Sequence, residues 1–288
     1  MIFVSTGGFL KQKASVASEN LLKAGIENIE LSGGTHFSNY RQELELLKIK
    51  YPSASFQVHN YFPPPSTPFV FNLASLNEEI ASRSLTHVDN SMKLSLLLER
   101  PIYSFHAGFL IDPKVTELGK TIKNKTLFDR DTALNKFISR VNLIANKAKE
   151  YGISLLIENN VLSSNNLKQF GTDPFLMTTH EECIDVMEKT SNNVNLLIDV
   201  AHLKVSAKSL GFSKMEFLEK VNPWIHAYHF SDNDGQRDTN NCIAKDSWFW
   251  KYIKLDLNYY SLEVYNESIE TILNQVSLVK EKIGYTCK

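Results

Sequence analysis

The chain has 288 residues, 43% of them hydrophobic and 22% charged, which is ordinary globular usage and excludes a disordered, collagenous or coiled-coil protein. Its 31 basic and 32 acidic residues give a net charge of −1, so the chain as a whole does not attract nucleic acid or anionic membranes. The three cysteines are an odd number, lie far apart and form no CxxC motif, which disfavours a disulfide framework or a cysteine-only zinc site. The first residues lack the basic and apolar regions of a signal peptide, and no run approaches ~18 apolar residues. We therefore expect a soluble cytoplasmic protein.

Eight short β-rich runs alternate with longer amphipathic segments along the chain. Most of the runs are continuously apolar, which is typical of parallel strands covered on both faces. We predict strands at Ile2–Ser5, Asn28–Leu31, Ser55–His59, Ile102–His106, Ile153–Glu158, Val194–Asp199, Ile225–Phe230 and Tyr259–Val264. Apolar residues at helical spacing predict helices at Val16–Ala24, Asn39–Lys50, Leu76–Leu98, Asp131–Tyr151, Thr179–Lys189 and Glu267–Lys280. Asp131 is the expected cap of its helix, and Gly25 and Gly152 stand where helices should end.

The order of these elements predicts the fold. Eight β–α units in one chain are typical of a closed (β/α)8 barrel, whose usual size is ~250 residues. An open doubly wound sheet is the alternative, but the segment after the first strand reads STGGF and lacks the GxGxxG phosphate turn of that fold. No linker-like tract or shift in composition divides the chain. We predict an α/β protein that forms a single-domain TIM barrel over residues 1–288.

Side chains of the types that bind metals stand at the ends of six successive predicted strands. They are His59, His106, Glu158, Asp199 with His202, His229 with Asp238, and Glu263. Barrel active sites lie at the carboxyl ends of the strands, so these side chains should meet at one rim. A lone histidine there is more often structural, and a glutamate buried in SLLIENN needs a partner, for which a lysine or arginine would suffice. The joint pattern favours a metal site, and nitrogen with carboxylate ligands suits Zn, Mn, Co or Fe better than Ca.

Four motifs, in this order, carry a family resemblance. IENN at 157–160, IDVAH at 198–202, HFSDNDGQRD at 229–238 and LEVYN at 262–266 resemble the xylose-isomerase-like TIM-barrel superfamily. That superfamily contains sugar and sugar-phosphate isomerases and epimerases, inosose dehydratase, and the apurinic-site nucleases related to endonuclease IV. The resemblance spans nearly the whole chain, and HFSDNDGQRD is its most specific motif.

The isomerase and epimerase branch implies one divalent metal ion, of Mn, Zn, Co or Mg, held by Glu158, Asp199, His229 and Glu263. Moving a proton on a carbon next to a carbonyl requires stabilisation of an enediolate, which a metal supplies, and carboxylates that act as base and acid. The resemblance makes Glu158 and Glu263 this catalytic pair. It also implies that His202 polarises a substrate oxygen and that Arg237 holds a hydroxyl or phosphate group through its charged fork.

The nuclease branch implies a fuller, trinuclear zinc site. His59, His106, His202 and Asp238 match four of its additional ligands. The fifth should be a histidine two residues after Asp238, where this chain has Asn240, and an amide binds zinc poorly. The following segment, NCIAKDSWFW, also departs from that branch. In a mononuclear site, His59 and His106 would contact the substrate instead.

Two loops add further expectations. The loop at 60–75 is rich in proline and phenylalanine, and we expect it to form a pocket wall or an interface, with Tyr61 and Phe62 lining the site. A rigid self-packed loop and a wedge into DNA are the alternatives. The loop at 110–130 carries five cationic residues. A solvated loop is its simpler interpretation, and a phosphate-binding lid is the alternative.

These observations predict a divalent-metal-dependent isomerase or epimerase of a small sugar or sugar phosphate, which acts by proton transfer through a metal-stabilised enediolate. Dehydration through the same enediolate stays open. An endonuclease IV-like zinc phosphodiesterase acting at abasic DNA sites is the alternative, and a non-catalytic sugar-binding barrel is a further one. We expect a small sugar as the substrate and no nucleic-acid or membrane partner, and we leave a homo-oligomer open.

Overall fold

The fold is a closed barrel of eight parallel strands. The computed structural model describes residues 1–118 and 120–284, so Cys287 lies outside the described residues. The strands are β1 (Ile2–Ser5), β2 (Asn28–Leu31), β3 (Ser55–His59), β4 (Ile102–His106), β5 (Ser154–Glu158), β6 (Val194–Asp199), β7 (Ile225–Phe230) and β8 (Tyr260–Leu262). Each strand pairs with its neighbours in chain order, and β1 pairs with β8 to close the sheet. The predicted single-domain (β/α)8 barrel is confirmed.

Nine α-helices in the described residues surround the strands. They are α1 (Ala14–Lys23), α2 (Tyr40–Lys50), α3 (Glu78–Leu97), α4 (Arg130–Glu150), α5 (Ser164–Phe170), α6 (His180–Lys189), α7 (Val200–Leu210), α8 (Lys214–Val221) and α9 (Ile269–Lys282). The sequence patterns did not predict α5, α7 and α8. The seventh β–α unit lacks its helix, because the chain between β7 and β8 forms turns. The predicted helix cap is also wrong: Asp129, not Asp131, caps α4 by accepting a hydrogen bond from the Thr132 amide.

The helices cover the sheet through apolar stripes. In α4 the residues that repeat at helical spacing, Phe137, Val141, Ile144, Ala145 and Ala148, are all buried. Burying each large side chain of this kind stabilises the fold by about 1.5–3 kcal/mol. Gly25 and Gly152 follow α1 and α4 with φ of +87° and +67°, the left-handed conformation that glycine adopts at helix ends. In the part of the chain that the structure describes, no helix has the length and apolar character needed to cross a membrane.

Inside the barrel an apolar layer supports a polar one. The apolar layer contains Phe3, Leu156, Leu197, Ala227 and Tyr259. Side chains alternate along a strand, so residues two positions apart point to the same face. Glu158, Asp199 and His229 each follow a member of the apolar layer by two positions, and therefore point into the barrel one layer nearer its carboxyl end. The fold thus places these three polar side chains at the barrel mouth.

Candidate metal centre

Four side chains converge at the carboxyl ends of the strands. Glu158, Asp199, His229 and Glu263 each offer a ligand atom within 4.8 Å of those of the other three. The first three are fully buried, and Glu263 is 7% exposed. Strand register produces this convergence, because Asp199 pairs with His229, and His229 pairs with Ser261, two residues before Glu263. These are the four residues to which the family resemblance assigns the metal.

Four histidine rings surround the carboxylate of Glu158. His59 Nε2 and His106 Nδ1 lie 3.3 and 3.4 Å from its Oε2 atom. His202 Nδ1 and His229 Nδ1 lie 3.4 and 3.5 Å from its Oε1 atom. The groups nearest to this buried glutamate are therefore imidazoles rather than a lysine or arginine.

Several polar atoms of the cluster are buried without a hydrogen-bond partner in the described residues. They are both carboxylate oxygens of Glu158, Oδ2 of Asp199 and Nδ1 of His229. Leaving such groups unpaired away from water costs several kcal/mol, so these atoms favour a further, positively charged partner. All four atoms belong to the predicted ligands. A donor set of three carboxylates and one imidazole fits a divalent cation such as Mn, Co or Zn.

Negative charge is in excess around Asp199. Burial raises the pKa of Asp199 to about 7; His202 opposes this rise, and the carboxylates of Asp238 and Glu158 add to it. Burial also favours the neutral form of Glu158, but His106 and its neighbouring histidines outweigh burial and hold that pKa well below its usual value. One carboxylate of the cluster thus resists ionisation until a further positive charge is supplied, which is the behaviour expected of a cation site.

The pKa values of two histidines near the cluster are shifted in opposite directions. Burial disfavours the charged form of His229, but Glu30, Glu263 and Glu158 outweigh burial and raise its pKa well above the usual value. At His106, Glu158 and Glu263 do not outweigh burial and the neighbouring histidines, and burial lowers its pKa to about 4. In the metal-free protein, His229 therefore holds a proton near neutral pH, which a metal would have to displace.

A cleft of about 670 Å³ adjoins the cluster at Asp238. Asp238 Oδ2 lies 3.3 Å from His202 Nε2, which joins the cleft to the buried site. The exposed Arg237 lines the same cleft, and Lys120 lines it from the loop at 110–130. The cleft also has apolar walls that include Phe109 and Phe175.

Part of the loop at 60–75 forms the wall of a cleft of about 360 Å³, whose lining includes none of the cluster residues. The Tyr61 hydroxyl accepts a hydrogen bond from the Phe69 amide, and its ring packs against Phe69 and His87. A role for Tyr61 in substrate binding stays a prediction. The expectation that Phe62 lines the site is wrong, because its ring is fully buried in the hydrophobic core.

Asn240 acts through its backbone in this structure. Its φ is +48°, a conformation that asparagine tolerates better than most residues, and its carbonyl accepts a hydrogen bond from the Tyr265 amide. The Tyr265 hydroxyl in turn donates to Glu263 Oε1 at 3.0 Å. The loop after β7 thus supports a residue that holds Glu263.

Sequence reasoning missed Glu30, Tyr259 and Ser104, which lie directly behind the predicted ligands. Glu30 on β2 is fully buried, lies 3.0 Å from His229 Nε2 and accepts a hydrogen bond from the Tyr259 hydroxyl. Ser104 contacts both Tyr259 and His59. A usable signal was present, because Glu30 stands in the apolar run NIEL just as Glu158 stands in SLLIE.

Fold and site together define a TIM barrel with a candidate divalent-metal cluster at the carboxyl ends of its strands. The chain belongs to the xylose isomerase-like TIM barrel family, whose model matches residues 19–281. The suggested superfamily is confirmed.

Known proteins resemble this chain over most of its length. An uncharacterized protein of Methanocaldococcus jannaschii is 22% identical over 214 residues, which are 73% of this chain and 72% of the relative. The structure of a D-tagatose 3-epimerase-like protein matches with a TM-score of 0.73 at 18% identity, covering 98% of this chain and 97% of that one. D-psicose 3-epimerase of Clostridium cellulolyticum, solved with D-tagatose, matches with a TM-score of 0.64 at 12% identity, covering 99% and 97%. A Thermus thermophilus protein soaked with zinc chloride matches with a TM-score of 0.61 at 18% identity, covering 97% and 98%. At these identities the structural likeness shows the shared fold.

Proposed function

We propose that this protein is a divalent-metal-dependent isomerase or epimerase of a small sugar or sugar phosphate. The observation that carries the proposal is the convergence of Glu158, Asp199, His229 and Glu263, several of whose buried ligand atoms have no hydrogen-bond partner in the described residues. Three of the solved structures that share the fold are sugar 3-epimerases and another is a D-tagatose 3-epimerase-like protein, which supports the same class.

Glu158 and Glu263 are the proposed acid–base pair. A metal held by the four residues would supply positive charge that stabilises an enediolate. Glu158 ends β5 and Glu263 follows β8, three strands further around the barrel, so the two carboxylates reach a bound sugar from different sides. One carboxylate can then take a proton from the carbon next to the carbonyl while the other returns a proton to the opposite face. The Tyr265 hydroxyl holds Glu263 in place through Oε1 and leaves Oε2 facing His229.

His202 and Arg237 are the proposed substrate-binding residues. His202 Nδ1 donates to the Asn159 carbonyl, which orients Nε2 toward Asp238 and the cleft. That nitrogen can polarise a sugar oxygen. Arg237 offers its guanidinium at the cleft surface for a hydroxyl or phosphate group.

Deuterium exchange tests the proposal without knowledge of the natural sugar. The protein, loaded with Mn, Co, Zn or Mg, is incubated in D2O with D-tagatose, D-psicose and their phosphate esters, and NMR follows the hydrogen on the carbon next to the carbonyl. We expect exchange with at least one ketose and its loss in Glu263→Gln. Absence of exchange with every ketose and metal would contradict the proposal.

A second candidate function is phosphodiester cleavage at abasic DNA sites. The observation that favours it is a second ligand cluster, His59, His106 and Glu158, next to the first. Clustered metals can activate water and stabilise a leaving oxygen. Cleavage of an abasic oligonucleotide by the zinc-loaded protein, lost in His59→Ala, would establish this function; an intact oligonucleotide would dismiss it.

A further inference from the structure

A chain of buried hydrogen bonds runs beneath the candidate metal centre and joins two of its histidines from behind. His229 Nε2 lies 3.0 Å from Glu30 Oε2, and the Tyr259 hydroxyl donates to the same oxygen. Tyr259 Oη lies 3.3 Å from Ser104 Oγ, which lies 2.9 Å from His59 Nδ1. All five residues are at most 2% exposed, so water does not replace these contacts.

The available donors and acceptors fix the direction of each hydrogen bond in this buried series. An ionised Glu30 only accepts hydrogen bonds, so both His229 Nε2–H and the Tyr259 hydroxyl donate to it. Tyr259 has a single hydroxyl hydrogen, so its contact with Ser104 requires Ser104 to donate. Ser104 then has no hydrogen left for His59, and His59 donates from Nδ1.

These hydrogen bonds determine which nitrogen of His229 and of His59 faces the metal centre. With Nε2–H donating to Glu30, His229 turns Nδ1 toward Glu158 and Glu263, each 3.5 Å away, and Nδ1 is the nitrogen whose proton a metal would displace. With its proton on Nδ1, His59 turns Nε2 toward Glu158, 3.3 Å away. Unprotonated nitrogen is the form that binds metal, and a carboxylate behind an imidazole both fixes the tautomer and raises the basicity of the ligand.

We infer that Glu30 is a positioning residue that sets the tautomers of His229 directly and of His59 through Tyr259 and Ser104, so that both rings present an unprotonated nitrogen to the metal centre. This inference rests on the divalent-metal site of the proposed function, and it is independent of which sugar or reaction the site serves. Glu30 itself stands behind the His229 ring, on the side opposite the nitrogen that faces the cluster.

Zinc affinity of the full chain tests the inference. We compare the wild type with Glu30→Gln, which removes the charge at constant size, and with Tyr259→Phe, which removes one hydroxyl from the chain. We expect zinc affinity to fall about 10- to 100-fold in Glu30→Gln and by about tenfold or less in Tyr259→Phe. Tyr228→Phe is the matched control: Tyr228 is also buried, but it packs against Phe230 and Tyr260, and its hydroxyl accepts from the Lys254 amide. Its zinc affinity should equal that of the wild type.

Two further readouts separate positioning from a merely structural role. A structural role predicts a lower melting temperature of the metal-free variants and unchanged zinc affinity once they are folded, whereas positioning predicts the loss of affinity in folded protein. In the zinc-loaded wild type, 15N NMR should show the His229 proton on Nε2 and the His59 proton on Nδ1. If Glu30→Gln does not fold, the positions of the His229 and His59 protons in the zinc-loaded wild type decide.

Zinc affinity of Glu30→Gln within about twofold of the wild type, or either proton on the opposite nitrogen, would overturn the inference. A wild type that binds no zinc would overturn it together with the metal site. A wild type whose affinity depends on Glu30 but which exchanges no ketose proton would leave the inference standing and would contradict only the proposed function.

Discussion

Asp199→Asn should stabilise the metal-free protein, although it removes a predicted ligand. Asp199 is fully buried, and burial raises its pKa from 3.8 to about 7. The substitution keeps the helix cap, because Asp199 Oδ1 accepts from the amides of Ala201 and His202 and an asparagine oxygen caps equally well. The change therefore removes the charge of this carboxylate at constant size, together with its part in raising the pKa of His202.

The magnitude follows from the difference between the folded and unfolded pKa values of Asp199. The folded value is the higher one, so the unfolded chain releases this proton first, and folding loses stability as the pH rises from the unfolded toward the folded pKa. At about 1.4 kcal/mol for each pH unit between them, the loss approaches about 4 kcal/mol at pH 8. Of this, about 2–3 kcal/mol develops between pH 5 and pH 8. For a chain of this size that corresponds to about 5 °C in melting temperature.

Calorimetry of chelator-treated protein at pH 5 and pH 8 provides the measurement. We expect the advantage of Asp199→Asn over the wild type to grow by about 5 °C between the two pH values. Zinc should raise the melting temperature of the wild type at pH 8 and change that of the variant little. Asp185→Asn, at a surface residue that pairs with Lys189, is the control, and its melting temperature should depend on pH as that of the wild type does. An equal pH dependence in Asp199→Asn and the wild type would refute the reasoning.

Three other substitutions probe the loops and the entrance. Asn72→Ala removes four contacts of the Asn72 side chain across the loops after β3 and β4 and one within the first loop. Calorimetry should show that the free energy of unfolding falls by about 3 kcal/mol; an unchanged melting temperature would contradict this prediction. Gly7→Ala would place a Cβ 2.2 Å from the Tyr265 hydroxyl, so Tyr265 must shift away from Glu263. We expect kcat to fall, because Glu263 loses the contact that holds it. An unchanged kcat would show that Tyr265 does not hold Glu263. Arg237→Ala should raise KM about tenfold at an unchanged melting temperature, because the side chain is exposed; an unaltered KM would remove Arg237 from the substrate site.

The strands were the most predictable part of the structure. Buried parallel strands are short apolar runs that end in polar residues, and this contrast fixes boundaries such as Ile102–His106 and Val194–Asp199 directly in the sequence. The same contrast marked Glu158, Asp199 and His229, because a polar group at the end of such a run lies at the barrel mouth.

The elements that the sequence analysis did not predict lack this contrast between an apolar run and a polar end. The helix Val200–Leu210 follows its strand without a linker, so the apolar strand pattern runs into the helical one. Glu30 carried the signal of an acidic residue in an apolar run, but its partners His229 and Tyr259 lie 199 and 229 positions away along the chain. Only closure of the barrel brings them together, and the sequence alone does not pair them.

Metal content of the purified protein, measured by inductively coupled plasma mass spectrometry, tests the central claim most directly. We predict about one divalent metal ion per chain, retained in His59→Ala and lost in Glu263→Gln, because Glu263 belongs to the four-residue cluster and the cluster does not require His59. A wild type without stoichiometric metal, or a Glu263→Gln variant that keeps all of it, would contradict the account.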